Sequence, residues 1–367
     1  MKIIQLIYSL SSGGAERFVV DLSNELAKLG HDVHLIVFRT SSKNGSNVHF
    51  YKNLVDENVN YHNLEIDEGF RFSAFVKVTR YIKRINPDIV HSHLNVIPYV
   101  FYLALKKGKI KHFHTLHNLA ENTVNSKIQK FVNLFFYRTE RIRPIAISDI
   151  CYKSYCDFYR IHNAIIIENG RSPVRPTSQF EKTRNEINSY RSENTKQIFV
   201  HIARFSKQKN QDLLIDSFNK LYAIDPDFLL FIIGNGFDSS EGKALQKRAC
   251  KAIKFLGEKQ NVNDYLLSAD AFCLTSIYEG LPISLLEALS AGCVPICTPA
   301  GGIPNVITKE VTGYLSDEFS VESYYETILN YLSRPDEIKK EYLISYFEMN
   351  YSISKCAFTH LNLYKQN

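Results

Sequence analysis

Two glutamates, Glu279 and Glu287, stand with seven residues between them in IYEGLPISLLEALSAGCVPICTPAGGIPNV, residues 277–306. Carboxylates at the ends of strands and the starts of helices hold vicinal hydroxyls, as in dinucleotide folds, so Glu287 can take a pair of ribose hydroxyls. Glu279, in the loop before the helix, can hold the hydroxyls of a sugar. The helix between them offers unpaired N–H groups at Ile283 and Ser284 and the positive end of its dipole, which suits a diphosphate. Arg204 and Lys209 lie five apart in ARFSKQKN, a strand-to-helix turn. Two cations so placed can clamp the same diphosphate, Arg through its planar fork. The chemistry these types point to is recognition of a nucleotide-sugar. An ordinary αβ unit with solvated glutamates and a solvated basic turn has the same spacing, so spacing alone leaves both readings open.

The elements that must position these groups follow from periodicity. Residues 282–290 read as a helix with Pro282 in the first turn, Leu285, Leu286 and Leu289 as its apolar stripe, and Glu287 on the other side. Gly292 closes it, residues 293–297 read as a buried strand despite Pro295, and Gly301-Gly302 turns the chain into another helix start. Upstream, strands at 198–203, 229–233, 254–256 and 271–274 alternate with helices at 210–222, 241–252 and from 262. The first half repeats the theme, with strands at 2–8, 33–38, 62–66, 89–94, 110–116, 145–148 and 165–168. Helices fall at 15–29, 72–85, 99–105 and 126–137. Alternation twice over implies two doubly wound parallel sheets facing a cleft. The expected organisation is a first domain over residues 1–170, a linker with a polar helix over 171–196, a second domain over 197–345, and a last segment, 346–367, whose helix returns to the first domain.

In the first half, Ser11-Ser12-Gly13-Gly14 joins the first strand to its helix, a phosphate-friendly arrangement that lacks the full dinucleotide fingerprint. His117 follows the strand at 110–116, where open α/β sheets place ligands; a satisfied structural histidine is the alternative. His91 and His93, like His112 and His114, are two apart and share a strand face. No carboxylate or Cys matches their spacing, so polar residues at the cleft rim are expected rather than metal ligands.

Composition narrows the class. The chain of 367 residues is comfortable for two domains, and 45% hydrophobic with 22% charged is ordinary for a globular protein. The seven cysteines show no paired metal spacing, and reduced thiols in the cytoplasm account for them. No apolar run approaches the roughly 18 residues of a membrane span. The net charge of +6 is uneven: residues 1–170 carry 22 Lys and Arg against 15 Asp and Glu, the remainder 22 against 23. An anionic partner for the first half follows. No recognition helix or metal finger points to nucleic acid. Lys127, Lys130, Arg138, Arg141 and Arg143, with Lys106, Lys107, Lys109 and Lys111, surround the amphipathic run 126–137, whose apolar members are Ile128, Phe131, Val132 and Phe135. Such a helix can lie on an anionic membrane surface, or it can pack in the core with a solvated polar face.

The wording of 277–306, with Glu279, Glu287 and the Gly-Gly turn, resembles the retaining glycosyltransferases of the glycogen-synthase-like family 4. Their two-domain fold, GT-B, is the expected fold class here: α/β, two Rossmann-like domains facing a cleft, with a C-terminal helix crossing back. The resemblance covers both halves and is densest over 198–315. It implies that Glu279 contacts the donor sugar and Glu287 the ribose, that Arg204 and Lys209 stabilise the leaving diphosphate, and that His117 sits beside the sugar's reacting carbon. It implies binding roles for Gly13, Gly14, Gly234, Gly280, Leu281, Ile283 and Ser284, and for Leu256, whose loop holds the base through backbone groups. Three positions depart from the family pattern: Asn305 and Asn235, where acidic residues are usual, and Asn118, where Asp often follows the histidine.

The implied reaction moves a sugar, UDP-linked in the first instance, onto a glycan or lipid-linked acceptor of cell-surface polysaccharide synthesis. It proceeds with retention and without metal or cofactor, in the cytoplasm or on the inner face of the membrane. No glycosidase-like carboxylate pair is evident. A UDP-sugar epimerase of similar two-domain fold, which would need an acid/base pair for a carbon-bound proton, and a non-catalytic nucleotide-sugar-binding subunit are the alternatives.

Overall fold

The computed structural model describes residues 1–39, 48–66, 72–106, 108–124 and 126–366; Lys107 lies outside them. The chain divides into two compact units, Met1–Ser172 with Tyr351–Asn367, and Pro173–Asn350.

The first unit is built on a parallel sheet of β1 (Lys2–Ile7), β2 (Asp32–Val37), β3 (Asn60–Asn63), β4 (Ile89–His93), β5 (Lys111–Leu116), β6 (Arg143–Ala146) and β7 (Ile165–Ile166). Their order is β3-β2-β1-β4-β5-β6-β7, so the winding reverses between β1 and β4. The second unit holds β8 (Gln197–Ile202), β9 (Phe228–Ile233), β10 (Ile253–Gly257), β11 (Ala271–Leu274), β12 (Val294–Cys297) and β13 (Tyr314–Leu315). Their order, β10-β9-β8-β11-β12-β13, reverses between β8 and β11. Both sheets are covered on two faces, which is why runs such as FLLFII in β9 are buried at every position. Ligands of such sheets bind beyond the carboxyl ends of the strands flanking the reversal. Those positions are the loops after β1 and β4 in the first unit and after β8 and β11 in the second, with the loops after β5 and β12 next to them.

The helix Ile353–Lys365 packs on the helix Gly14–Lys28, with Ser354 donating to Glu25 Oε1 at 2.6 Å. The chain leaves the first unit through Arg171, which is fully buried, pairs with Asp21 at 2.5 Å, and bridges to Ser352. The polar helix Phe180–Tyr190 sits in the second unit against Val262–Ser268, where Thr177 and Thr183 meet the Asp264 carboxylate and Tyr265 donates to Glu186.

Several expectations change. The helix after Glu279 runs Ile283–Ala291 with Pro282 as its N-cap, one position outside the helix. It is buried nearly all round, so Glu287 is 7% exposed although it opposes the leucine stripe; the amphipathic pattern gave a stripe but not what covers the opposite side. The strand expected at 145–148 lies earlier, as β6, because Ser148 caps the following helix Asp149–Tyr159. Helices Val321–Ser333 and Lys340–Tyr351 fall where no element was read.

Candidate active site

In the second unit the loops after β8, β11 and β12 converge. Lys209 Nζ lies 2.5 Å from Glu279 Oε1, and the Ser276 hydroxyl donates to the same oxygen at 2.6 Å. Glu279 is 6% exposed. A buried carboxylate with a cation and a hydroxyl on one oxygen is well compensated, and the reading of solvated glutamates fails for both Glu279 and Glu287. The side chain of Arg204, by contrast, is exposed; Arg204 contributes its carbonyl, which accepts from Gln211 Nε2 at 3.0 Å.

The backbone that carries Glu279 is held from both sides. Ile277 N–H donates to the Gln208 carbonyl at 2.8 Å, and Gln208 Nε2 donates to the Tyr278 carbonyl at 3.0 Å. Gly302 N–H donates to the Glu279 carbonyl at 3.2 Å. Gly301 has φ +56, and a Cβ built there would fall 1.8 Å from the Glu279 carbonyl oxygen. Only glycine permits that turn and that approach. The Gly-Gly turn therefore braces the loop of Glu279 through backbone contact.

Thr275 donates to the carbonyls of Lys209 and Asn210, at 3.0 and 3.1 Å, and Thr298 donates to that of Ser276 at 2.6 Å. Asn210 takes the left-handed conformation (φ +49) that Asn tolerates, and opens the helix Gln211–Tyr222. Beneath, His201 on β8 contacts the Cys273 carbonyl through Nδ1 at 2.9 Å and Gln211 Nε2 through Nε2 at 3.3 Å. Burial pushes its ring down to about 4. Ser276, Gln208, Gln211, Thr275, Thr298 and His201 were not singled out from sequence. A lone hydroxyl or amide has no periodic signal.

Gly234 follows β9, and its N–H donates to the Gly257 carbonyl at 2.9 Å. Its own position (φ +156) brings it against the Ala203 carbonyl, 2.0 Å from an added Cβ. Leu256 lies on β10 beside it, half-buried. Asn235 donates to Glu258 at 3.0 Å. Gly280, Leu281 and Ile283 are buried at the entry to the Ile283–Ala291 helix, and Ser284 is partly so.

In the first unit, Gly13 is the N-cap of the helix that begins at Gly14. Phe18, one turn on, packs edge-on against His117 with ring centres 5.6 Å apart. His117 Nε2 meets His93 Nδ1 at 2.9 Å. The paired histidines are not rim residues. His91, His93, His112 and His114 are all buried, and burial drives His112 to about 4 and His114 to about 3. His91 contacts the Tyr364 hydroxyl at 2.6 Å and Thr115 at 2.7 Å; Ser92 and His114 pair at 2.9 Å. Both faces of the sheet are covered, so alternation put each pair on one face without exposing it. Among the described residues no three His, Cys, Asp or Glu side chains gather as a metal-binding set.

The helix Lys127–Arg138, capped by Ser126, buries Asn133, Phe136 and Tyr137. Ile128, Phe131 and Phe135 are 78, 72 and 43% exposed. Much of the expected apolar stripe thus faces outward. Among the described residues, no helix is long and apolar enough to cross a membrane.

Comparisons with known proteins agree with this layout. The Glycosyltransferase Family 4 model matches residues 12–175 and the Glycosyl transferases group 1 model residues 182–347. The chain is 26% identical over 327 residues to the N-acetyl-alpha-D-glucosaminyl L-malate synthase of Bacillus anthracis, covering 84% of this chain and 81% of that one. It is 26% identical over 359 residues to the capsular polysaccharide biosynthesis glycosyltransferase CapH of Staphylococcus aureus, covering 92% of each. The fold matches Anabaena Alr3699/HepE, a crystal structure in complex with UDP and glucose, with a TM-score of 0.78 at 17% identity over 99% of both chains.

Proposed function

Since the chain belongs to the family 4 glycosyltransferases, we propose that it is a retaining, metal-independent enzyme that moves a sugar from a UDP-sugar to a glycan or lipid-linked acceptor in cell-surface polysaccharide synthesis. The observation that carries the reading is the buried Lys209–Glu279–Ser276 cluster, beside the start of the Ile283–Ala291 helix. HepE, of like fold, is known with UDP, and CapH is named for capsular polysaccharide; both support the choice of donor and pathway class.

In this reading the acceptor oxygen attacks the anomeric carbon on the face from which the diphosphate departs. The bond from that carbon to the diphosphate oxygen breaks, and the leaving phosphate oxygen takes the acceptor's proton. Lys209, Arg204 and the N–H groups of Ile283 and Ser284 meet the charge that develops on the diphosphate, as preorganised electrostatics. Glu279 orients the sugar hydroxyls, Glu287 the ribose, and the neutral His117 ring stands beside the sugar. Gly13, Gly14, Gly234, Leu256, Gly280 and Leu281 shape the binding loops. Because protein cations and helix N–H groups serve the leaving group, no metal is assigned.

The reading also places the protein on an anionic membrane surface, through the outward Ile128, Phe131 and Phe135 and the neighbouring Lys127, Lys130 and Arg138. A lipid-linked acceptor would be met there.

The experiment is a thermal shift against UDP, GDP, ADP and their sugar conjugates with EDTA present, followed by product analysis with and without acceptor. A ligand at about 100 times its dissociation constant adds about 2.7 kcal/mol of stability. A UDP-specific shift and an acceptor-dependent α-glycoside are expected from an α-linked donor. Isomerised nucleotide-sugar without acceptor would favour an epimerase, and binding without any product a non-catalytic subunit.

A further inference from the structure

His117 is the end of a buried hydrogen-bond chain. Gln5 on β1 presents Oε1 to His93 Nε2 at 2.7 Å, and His93 on β4 presents Nδ1 to His117 Nε2 at 2.9 Å. Gln5 and His93 are fully buried. Burial, helped by neighbouring imidazoles, holds His93 well below the ordinary 6.5 and brings His117 down to about 3. Both rings are therefore neutral, and each carries one N–H.

With the Gln5 amide oxygen facing His93, the proton count has one solution. An amide oxygen only accepts, so His93 keeps its proton on Nε2 and donates it to Gln5. Its Nδ1 is bare and accepts from His117, whose proton must be on Nε2. The remaining nitrogen, His117 Nδ1, is bare. It has no hydrogen-bond partner among the described residues, and neither has Gln5 Nε2 at the other end of the hydrogen-bond chain. The opposite arrangement needs the Gln5 amide turned about, with Nε2 donating to His93, and would leave the His117 Nδ1–H buried without a partner. The Gln5 side chain also acts on the Tyr364 hydroxyl, which meets His91 at 2.6 Å.

We propose that Gln5 and His93 are positioning residues that hold His117 in its Nε2–H form. His117 thereby enters the reaction as a neutral ring, anchored through one nitrogen, with a lone pair and no proton to give on the other. The group that Nδ1 can take is a hydroxyl, the commonest group on the donor sugar. This rests on the reading of His117 as a residue of the donor-sugar site.

The test joins spectroscopy to kinetics. Two-bond 15N–1H spectra of protein labelled at histidine, with His117→Ala used to identify its signals, report which nitrogen carries the proton. The wild-type ring is expected as the Nε2–H tautomer, unchanged from pH 8 to pH 6. Gln5→Leu removes the acceptor and is expected to give mixed tautomers at His117, a kcat reduced about tenfold, and a donor KM within about twofold of wild type. An Nδ1–H tautomer or a cationic ring in wild type at pH 7 overturns the proposal, whatever the variants do. So does Gln5→Leu with His117 still wholly Nε2–H. If the tautomers behave as expected while His117→Ala turns over at the wild-type rate, the hydrogen-bond chain stands and the role of His117 in transfer falls.

Discussion

The ammonium of Lys209 and the carboxylate of Glu279 touch at 2.5 Å, across loops that follow β8 and β11, the two strands at which the second sheet reverses. Each is thus held by the other before any ligand arrives. Glu279→Gln is expected to abolish most transfer yet tighten UDP itself several-fold, because Lys209 is released from its carboxylate. Lys209→Ala should lower kcat by about 10²–10³, the usual cost of one preorganised charge-stabilising group. Unchanged circular dichroism with near-normal turnover in either variant would reject the site as drawn.

Gly301→Ala should act on the same loop without touching a polar group. Its Cβ would stand 1.8 Å from a backbone carbonyl, which no side-chain rotation relieves, at a positive φ. A loss of more than about 4 kcal/mol is expected, the range of exceptional backbone damage. A melting temperature close to wild type would show that the loop has room the structure does not.

Acid should attack the first unit before the second. His112 and His360 sit at about 4, His114 and His117 at about 3, all pulled down by burial. A histidine depressed in the folded state binds its proton only on unfolding, so its contribution is complete above the ordinary 6.5 and falls away as pH drops from there toward 4 and 3. At pH 5.5 each such ring costs about 1.4 kcal/mol. The second unit has one comparable histidine with a value near 4, His201. Hydrogen exchange between pH 7 and 5 should show the first unit losing protection earlier; simultaneous loss would contradict this.

Ile128→Ser with Phe131→Ser should lower binding to vesicles containing anionic lipid by at least tenfold and leave binding of UDP unchanged, since both side chains face outward. Binding should weaken with salt as well, the mark of the flanking Lys127, Lys130 and Arg138. Equal sedimentation of variant and wild type would remove the membrane from the proposed function.

Arg171 is enclosed with Asp21 as its partner, and Arg17 lies 3.3 Å from the same carboxylate. Arg171→Leu should therefore cost about 3–5 kcal/mol, the penalty of breaking a buried pair from one side, read by urea unfolding.

The two alternating αβ series were legible because strands and helices announce themselves by period, and the sheet reversals then say where ligands go. Glu279, Lys209 and the Gly-Gly turn were legible because charge and glycine at loop positions are uncommon enough to ask about. What supports them was not. Ser276 and Thr298 act through single hydroxyl groups, and nothing in their neighbours' pattern marks them. The histidines misled in a different way. Their two-residue spacing correctly placed His91 beside His93, 4.2 Å between ring centres, but a sheet covered on both faces buries either side of a strand. The helix Lys127–Arg138 shows the same limit, since periodicity draws a stripe and leaves open which way it turns.

The residues from Tyr351 onward complete the first unit, yet Pro173–Asn350 comes between. A ribosome therefore releases the whole second unit before it releases Tyr364, the partner of His91, and Ser354, the partner of Glu25. The usual order, in which the N-terminal domain folds first during synthesis, is reversed here. The first unit must wait through translation with the outer face of the Gly14–Lys28 helix uncovered, and it becomes native only when the Ile353–Lys365 helix arrives.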